Sequence, residues 1–317
     1  MKNHVTAIAA AALLALAVQS ASAGNVVGYN KIVVPANTDV RLSVPFTQTI
    51  QGTYTVAGKT GSTVTTSEAL SASTYPASAY YVRFVGGNAS GLWATISANG
   101  ANSLTLTDAN VANLVTNGDT FRVYAHATLG TLFPKGMYGK SYTSGTVVNI
   151  YANNIAAMAQ NKASAKTASY TTTGGGRWVG AGVSNATVLV PETQFILRNG
   201  SAQQLTMMTF GIVPDYTVSM LIAPGGDLFV GMGYPMAVVL KSSGLGGTNQ
   251  RTVFFYDNAA TGINKSAVKT ASYTTTGGGR WVGAGVTGNE LLLPSQTVTF
   301  RLPAGETGTK VTIPKPY

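Results

Sequence analysis

The sequence predicts an all-β protein built from tandem β-sandwich-like units with very little helix. Three observations predict it. Short runs alternate apolar and polar side chains, as in Asp39-Val40-Arg41-Leu42-Ser43-Val44 and Tyr80-Tyr81-Val82-Arg83-Phe84-Val85, and a period of two is the mark of a strand. Clusters of Gly, Asn and Ser bound these runs, and such residues make tight turns. Markers also recur at domain-sized spacing. Between the successive pairs Val34-Pro35, Phe133-Pro134, Val213-Pro214 and Ile313-Pro314 comes first a Trp (Trp93, Trp178, Trp281). A run led by Phe follows it (Phe121-Arg122-Val123, Phe195-Ile196-Leu197, Phe300-Arg301-Leu302). Recurrence at a fixed order is the signature of repeated units. It predicts three diverged β units, 24–134, 135–214 and 215–317, each about the size of a small sandwich and free to pack into one or two compact domains.

Taken in chain order, Met1-Lys2-Asn3-His4, the apolar run Val5 to Val18, and Ala21-Ser22-Ala23 before Gly24 have the layout of a secretory signal peptide. Removal of residues 1–23 leaves 294 of the 317 residues and lowers the formal charge from +10 to +9, because Lys2 goes with them. No later stretch offers the roughly 20 consecutive apolar residues of a membrane-spanning helix. In the first unit Asp108 is placed to cap a short helix over 109–115. Asn117-Gly118, ahead of Phe121-Arg122-Val123-Tyr124, marks a tight turn. Pro45 follows Pro35 by ten residues, as Pro224 follows Pro214, so the first and third units share a further marker. In the second unit the Ala-rich stretch Ile155–Ala165 is the other helix candidate.

The eighteen residues KTASYTTTGGGRWVGAGV occur twice without a difference, at Lys166–Val183 and Lys269–Val286. A phosphate-cradling loop needs Lys and Ser or Thr after its last Gly, leading into a helix. Here Arg-Trp-Val follows instead, so Gly174-Gly175-Gly176 reads as a turn joining the strands Tyr170–Thr173 and Arg177–Val183. Alternation puts Val179, Ala181 and Val183 on one face, the expected core face, and Trp178 with Gly180 and Gly182 on the other. In the first unit Leu92, Ala94 and Ile96 likewise oppose Trp93. The candidate ligand-binding residues are therefore Trp93, Arg177, Trp178, Arg280 and Trp281, as aromatic platforms for sugar rings beside guanidinium groups. The other role open to these Trp side chains is packing against Gly-rich strands or between units. Exposed rings would favour the platforms and buried rings the packing.

Charge and residue counts narrow the function classes. Charged residues are 9% of the chain, against roughly 25% in ordinary soluble domains. The scattered Lys and Arg form no stripe of the kind nucleic acid requires, leaving at most a diffuse attraction to anionic glycans or lipid headgroups. There is no cysteine, and once His4 is removed His126 is the one imidazole. Thiolate zinc and multi-histidine zinc are excluded by count. No G-x-S-x-G elbow accompanies His126. The ten carboxylates are spread singly among turn-like contexts, whereas a glycosidase needs two working together. Calcium is the one metal left to consider, through Asp108, Asp119, Asp227 and Asp257, although no D-x-D-x-D loop is present. No other cofactor is implied.

The stretches Ser90-Gly91-Leu92-Trp93-Ala94-Thr95-Ile96, Asn117-Gly118-Asp119-Thr120-Phe121-Arg122-Val123 and Thr128-Leu129-Gly130-Thr131-Leu132-Phe133-Pro134 resemble an uncharacterised family of secreted, β-rich bacterial proteins. The likeness covers mainly residues 80–134 and the signal peptide. It implies export and β structure, and no functional residue comes with it.

These readings lead to an expected function. The chain is an exported, non-catalytic structural or adhesive protein of the outer surface, extracellular matrix or periplasm. Its partners are copies of itself or other envelope and matrix components. A carbohydrate-binding protein using Trp and Tyr platforms is the alternative, and a glycan-processing hydrolase without a recognisable motif is the second.

Overall fold

The computed structural model of the chain describes residues 26–44, 46–70, 74–134, 142–152, 159–306 and 309–317. The expected signal peptide, Pro45 and residues 155–158 of the second helix candidate lie outside these residues. The rest of that candidate, 159–165, is turn and irregular chain rather than helix.

The fold is nearly all β, as the alternating runs predict. The chain opens with β1 (Val27–Val34) and β2 (Thr38–Ser43), then leaves them to build a closed six-stranded barrel. Its strands are β3 (Ile50–Thr60), β4 (Thr63–Thr66), β5 (Tyr80–Gly86), β6 (Trp93–Asn99), β7 (Ser103–Leu106) and β8 (Thr120–Ala125), in the spatial order β3-β4-β7-β6-β5-β8. Register shifts at Ile50/Gly52, Val56/Gly58, Phe84/Gly86 and Ile96/Ala98 bend the strands, and bulges of this kind let a small sheet curl shut. Val56, Val64, Val82, Phe84, Ala94, Ile96, Leu104, Phe121 and Val123 form its buried core. A short helix, Ala109–Leu114, adds Val111 and Ala112 to that core, and the Asp108 carboxylate accepts from the Asn110 and Val111 amides as expected of its cap.

After the barrel the chain returns to its first two strands. It adds β9 (Ala127–Thr128), β10 (Val147–Ile150), β11 (Lys166–Thr171), β12 (Arg177–Val179), β13 (Val188–Leu189), β14 (Gln194–Asn199) and β15 (Leu205–Ile212). These pair as the five-stranded sheet β12-β11-β10-β14-β2 and the two-stranded pieces β1-β15 and β13-β9. Strand pairing therefore crosses the boundary expected after residue 134, since β1 and β2 join strands 151 to 185 residues away. The second set follows as β16 (Val218–Ile222), β17 (Asp227–Gly231), β18 (Val238–Val239), β19 (Thr252–Phe255), β20 (Lys269–Thr274), β21 (Arg280–Val282), β22 (Leu291–Leu292), β23 (Thr297–Arg301) and β24 (Thr309–Ile313). Its pairings are β17-β23-β19-β20-β21, β16-β24 and β18-β22.

The two nine-stranded sets share one pairing plan among the described residues. In each, the first strand pairs the last, the second pairs the eighth, and the third pairs the seventh. The barrel sits in the first set, between its second and third strands. Trp178 and Trp281 occupy matching places in β12 and β21, whereas Trp93 belongs to the barrel. Each body has its own core, around Val34, Leu42, Phe195 and Trp178 in the first set, around Val230, Val253, Phe300 and Trp281 in the second, and inside the barrel. Tyr81 and Tyr124, on barrel strands, contribute to the core of the second set, which fastens the barrel there.

Candidate functional site

The duplicated stretch forms an antiparallel hairpin in each set, pairing Tyr170 with Trp178 and Tyr273 with Trp281. Gly174, Gly175 and Gly176 have φ of 67°, 89° and 86°, and Gly277, Gly278 and Gly279 match them. Three successive left-handed residues are affordable only without a Cβ. Trp178 is 2% exposed and Trp281 5%. The Trp178 indole N–H donates to the Phe133 carbonyl at 3.3 Å, and its ring packs edge-on against Phe133 and Tyr170. Trp281 packs edge-on against Tyr273. The expected face assignment therefore fails at the Trp side chains, which face the core, and at Ala181, which is exposed, while Val183 and its copy Val286 still pack against the cores. The strand ends after Val179, and a turn with a bridge between Gly180 and Val183 follows, so alternation does not carry to Ala181. Arg177 and Arg280 are exposed, but the rings beside them offer no platform.

Trp93 lines a cavity. In the barrel the expected faces hold: Leu92, Ala94 and Ile96 are buried inside, and Trp93 and Thr95 are half-buried on the outside. There the barrel meets both strand sets around a cavity of about 570 Å³. Trp93, Thr95, Asp108, Glu192, Ser219 and Met220 are among its walls. Close approach depends on Gly91 (φ +83°), whose carbonyl accepts from the Ser219 amide at 2.9 Å. A Cβ at Gly91 would lie 2.7 Å from that same nitrogen.

Beside this cavity the buried Arg83 donates to Glu192 at 2.5 Å and to the Gly91 carbonyl at 2.7 Å. Its guanidinium also lies 5.3 Å from the Tyr216 ring centre. Burial pushes the Glu192 carboxyl up, while Arg83 and a hydrogen bond from Trp93 pull it back. Glu192 holds a left-handed backbone (φ 54°), which is costly for a non-Gly residue. The ion pair thus ties barrel to first set and orients Trp93. Sequence reasoning missed it, because 109 positions separate its partners.

His126 is buried next to the same junction, with its Nε2 3.0 Å from the Thr95 hydroxyl and its ring against Tyr81. Burial lowers its pKa to about 4. The acids considered for calcium have protein partners. Asp119 accepts from the Asn88, Ala89 and Thr116 amides, Asp108 caps its helix, and Asp257 accepts from the Ala259 amide. Asp227 lies in β17, not in a turn, and pairs with Arg301 at 2.6 Å. Among the described residues no three His, Cys, Asp or Glu side chains gather as a metal site, and no helix is long and apolar enough to cross a membrane.

Two further places present functional groups. The face of the β1–β15 ribbon turned away from the core exposes Tyr29 (72%) directly across from Phe210 (68%), with Val27 and Val33 along the same face. The corresponding ribbon β16–β24 meets the barrel instead, through Ser219 on Ser90 and Gly91 and through Leu221. The second place is the junction of the two sets, where β2 and β14 face β17 and β23. Thr297 donates to Gln194 at 2.9 Å there. Each set also lends a loop to the other. The Asn264 amide donates to Asp39 at 2.8 Å while Arg198 holds the Asn264 side chain, and the Asn161 amide donates to Asp227 at 2.8 Å while Arg301 holds the Asn161 side chain. The repeated Asn161-Lys162 and Asn264-Lys265, at the same offset as the eighteen-residue stretch, are the signal in the sequence that could have located these clasps.

No protein-family model, curated protein or solved structure matches the chain.

Proposed function

We propose that this chain is an exported, non-catalytic structural or adhesive protein of the cell surface, extracellular matrix or periplasm, which associates with copies of itself through the β1–β15 ribbon. The observation that carries the reading is the uncovered Tyr29–Phe210 pair, on a face whose counterpart in the second set is covered by the barrel. Contiguous apolar surface of this kind marks an association site. Lys31 is the one charge on that face of β1, so two such faces meet without opposing charge rows. The test is light scattering of the full chain after signal removal, over a wide concentration range, beside the double variant Tyr29→Lys, Phe210→Lys. The wild type is expected to associate and the variant to stay monomeric with unchanged circular dichroism. A wild type that remains monomeric throughout overturns the reading.

Polysaccharide binding is a second reading, supported at one place by the Trp93 wall of the 570 Å³ cavity. Aromatic surface joined to a few polar groups is the usual lining of a ligand site. Trp93→Ala would then abolish binding of a neutral glycan.

A further inference from the structure

Five of the chain's twenty Lys and Arg residues gather at the junction of the two sets, around two neighbouring cavities of about 210 Å³ each. Arg41, Lys162, Arg301 and Asp227 line one, and Arg41, Arg198, Lys265 and Asp39 line the other. Arg41 and Tyr151 belong to both. Asp39 and Asp227 are buried and already engaged by Arg198 and Arg301. Asp257 lies exposed beyond Lys265, so cations outnumber acids even when it is counted. In a chain of such low charge density this concentration is local, not diffuse.

Arg41 is the centre of it. Its backbone is clamped by Asn258, which accepts from the Arg41 amide and donates to its carbonyl, both at 2.9 Å. Its guanidinium carbon lies over the Tyr256 ring, 3.7 Å from the ring centre, and among the described residues no acceptor takes its N–H groups. A guanidinium so held presents its donor fork without further loss of rotamer freedom.

We infer that these paired cavities bind the carboxylate or sulfate groups of an acidic glycan, with Arg41 between two successive anionic sugars. The rings around the cavities favour an oxyanion over a nucleobase. Tyr256, Phe254 and Phe229 have Arg41, Arg301 and Lys162 over their faces, which leaves those faces unavailable for the base stacking that single-stranded nucleic acid uses. Tyr151, Asn149 and the hydrogen-bonded pair Tyr256 and Thr299 also line the cavities, with Asn149 accepting from Thr167, and bring further polar groups within reach of sugar hydroxyls. Burial lowers the Lys162 ammonium to about 8, against the opposing pull of Asp227, and an anion in the cavity would restore the charged form. The site is separate from both the ribbon and the Trp93 cavity, so it stands or falls apart from the proposed function.

Titration calorimetry of the full chain after signal removal, at low salt, tests it with polygalacturonate, dextran sulfate, neutral dextran and a single-stranded oligonucleotide as probes. At least one acidic glycan is expected to bind. Polygalacturonate alone would assign carboxylates, dextran sulfate alone sulfates, and both together the charge they share. Arg41→Gln is expected to weaken that binding by about tenfold or more, and Lys265→Gln to weaken it in the same direction. The control Arg280→Gln, an exposed cation far along the second sheet, should change it less than about twofold. Melting curves show whether Arg41→Gln folds, and Lys265→Gln keeps the test usable if it does not. Absence of binding, an equal loss in Arg280→Gln, or equal binding of neutral dextran or the oligonucleotide overturns the inference.

Discussion

Arg83 and Glu192 show how much one buried contact can decide. Both are nearly inaccessible and 2.5 Å apart, so removing the acid would leave a desolvated guanidinium. Glu192→Ala is expected to destabilise the protein by about 3–5 kcal/mol, whereas Arg83→Met with Glu192→Leu should cost far less, since apolar side chains carry no charge to desolvate. Urea unfolding of both variants measures the difference. His126 gives the pH dependence. Its folded pKa of about 4 lies below its ordinary 6.5, so the unfolded chain takes up a proton that the folded chain refuses. Stability from this group is complete above pH 6.5 and is lost as pH falls towards about 4. His126→Gln, which keeps a partner for Thr95, should flatten the fall in melting temperature over that range.

At the scale of elements the two hairpins are the clearest case, because one sequence makes the same structure twice. The left-handed glycines set the turn, and Tyr170 or Tyr273 opposite the Trp sets the register. A Cβ on Gly278 would meet nothing within 4 Å, yet its φ is +90°. Gly278→Ala is therefore expected to cost about 1–2 kcal/mol through the backbone alone, read as a shift in denaturation midpoint. Local pattern placed the turn and the strands on either side of it, though the first begins earlier, at Lys166, and the second stops at Val179, and it put the Trp on the face away from the core. Alternation names two faces, and only the neighbours decide which one is inside. In the barrel strand β6 the neighbours are barrel strands, and the face assigned from Leu92, Ala94 and Ile96 holds.

For the whole molecule the main contrast lies between two ribbons of matching connectivity. The barrel packs on one through Gly91, Ser219 and Leu221 and leaves the other with Tyr29 and Phe210 in solvent. Because both side chains are exposed, the double Lys variant should melt as the wild type does while losing association. Salt should leave wild-type association intact, since burial of apolar area is not screened. The reciprocal Asn161 and Asn264 clasps hold the two sets face to face, and they create the cationic cavities that neither set has alone.

The sequence by itself determined the β class, the turn and cap chemistry at Asp108 and Gly174–Gly176, and the duplicated hairpin, because all of these follow from side-chain period and backbone freedom within a few residues. Tertiary structure alone decided that β1 and β2 pair with strands formed after the barrel, β15 and β14, that Trp178 and Trp281 are core while Trp93 lines a cavity, and that Arg83 meets Glu192. Arg41 is the plainest example. Its position in an alternating run fixes a strand, but its contact with Tyr256 and its place among four other cations depend on residues 121 to 260 positions away. Contacts at that separation are chosen by which cores can pack together, and no local pattern encodes that choice.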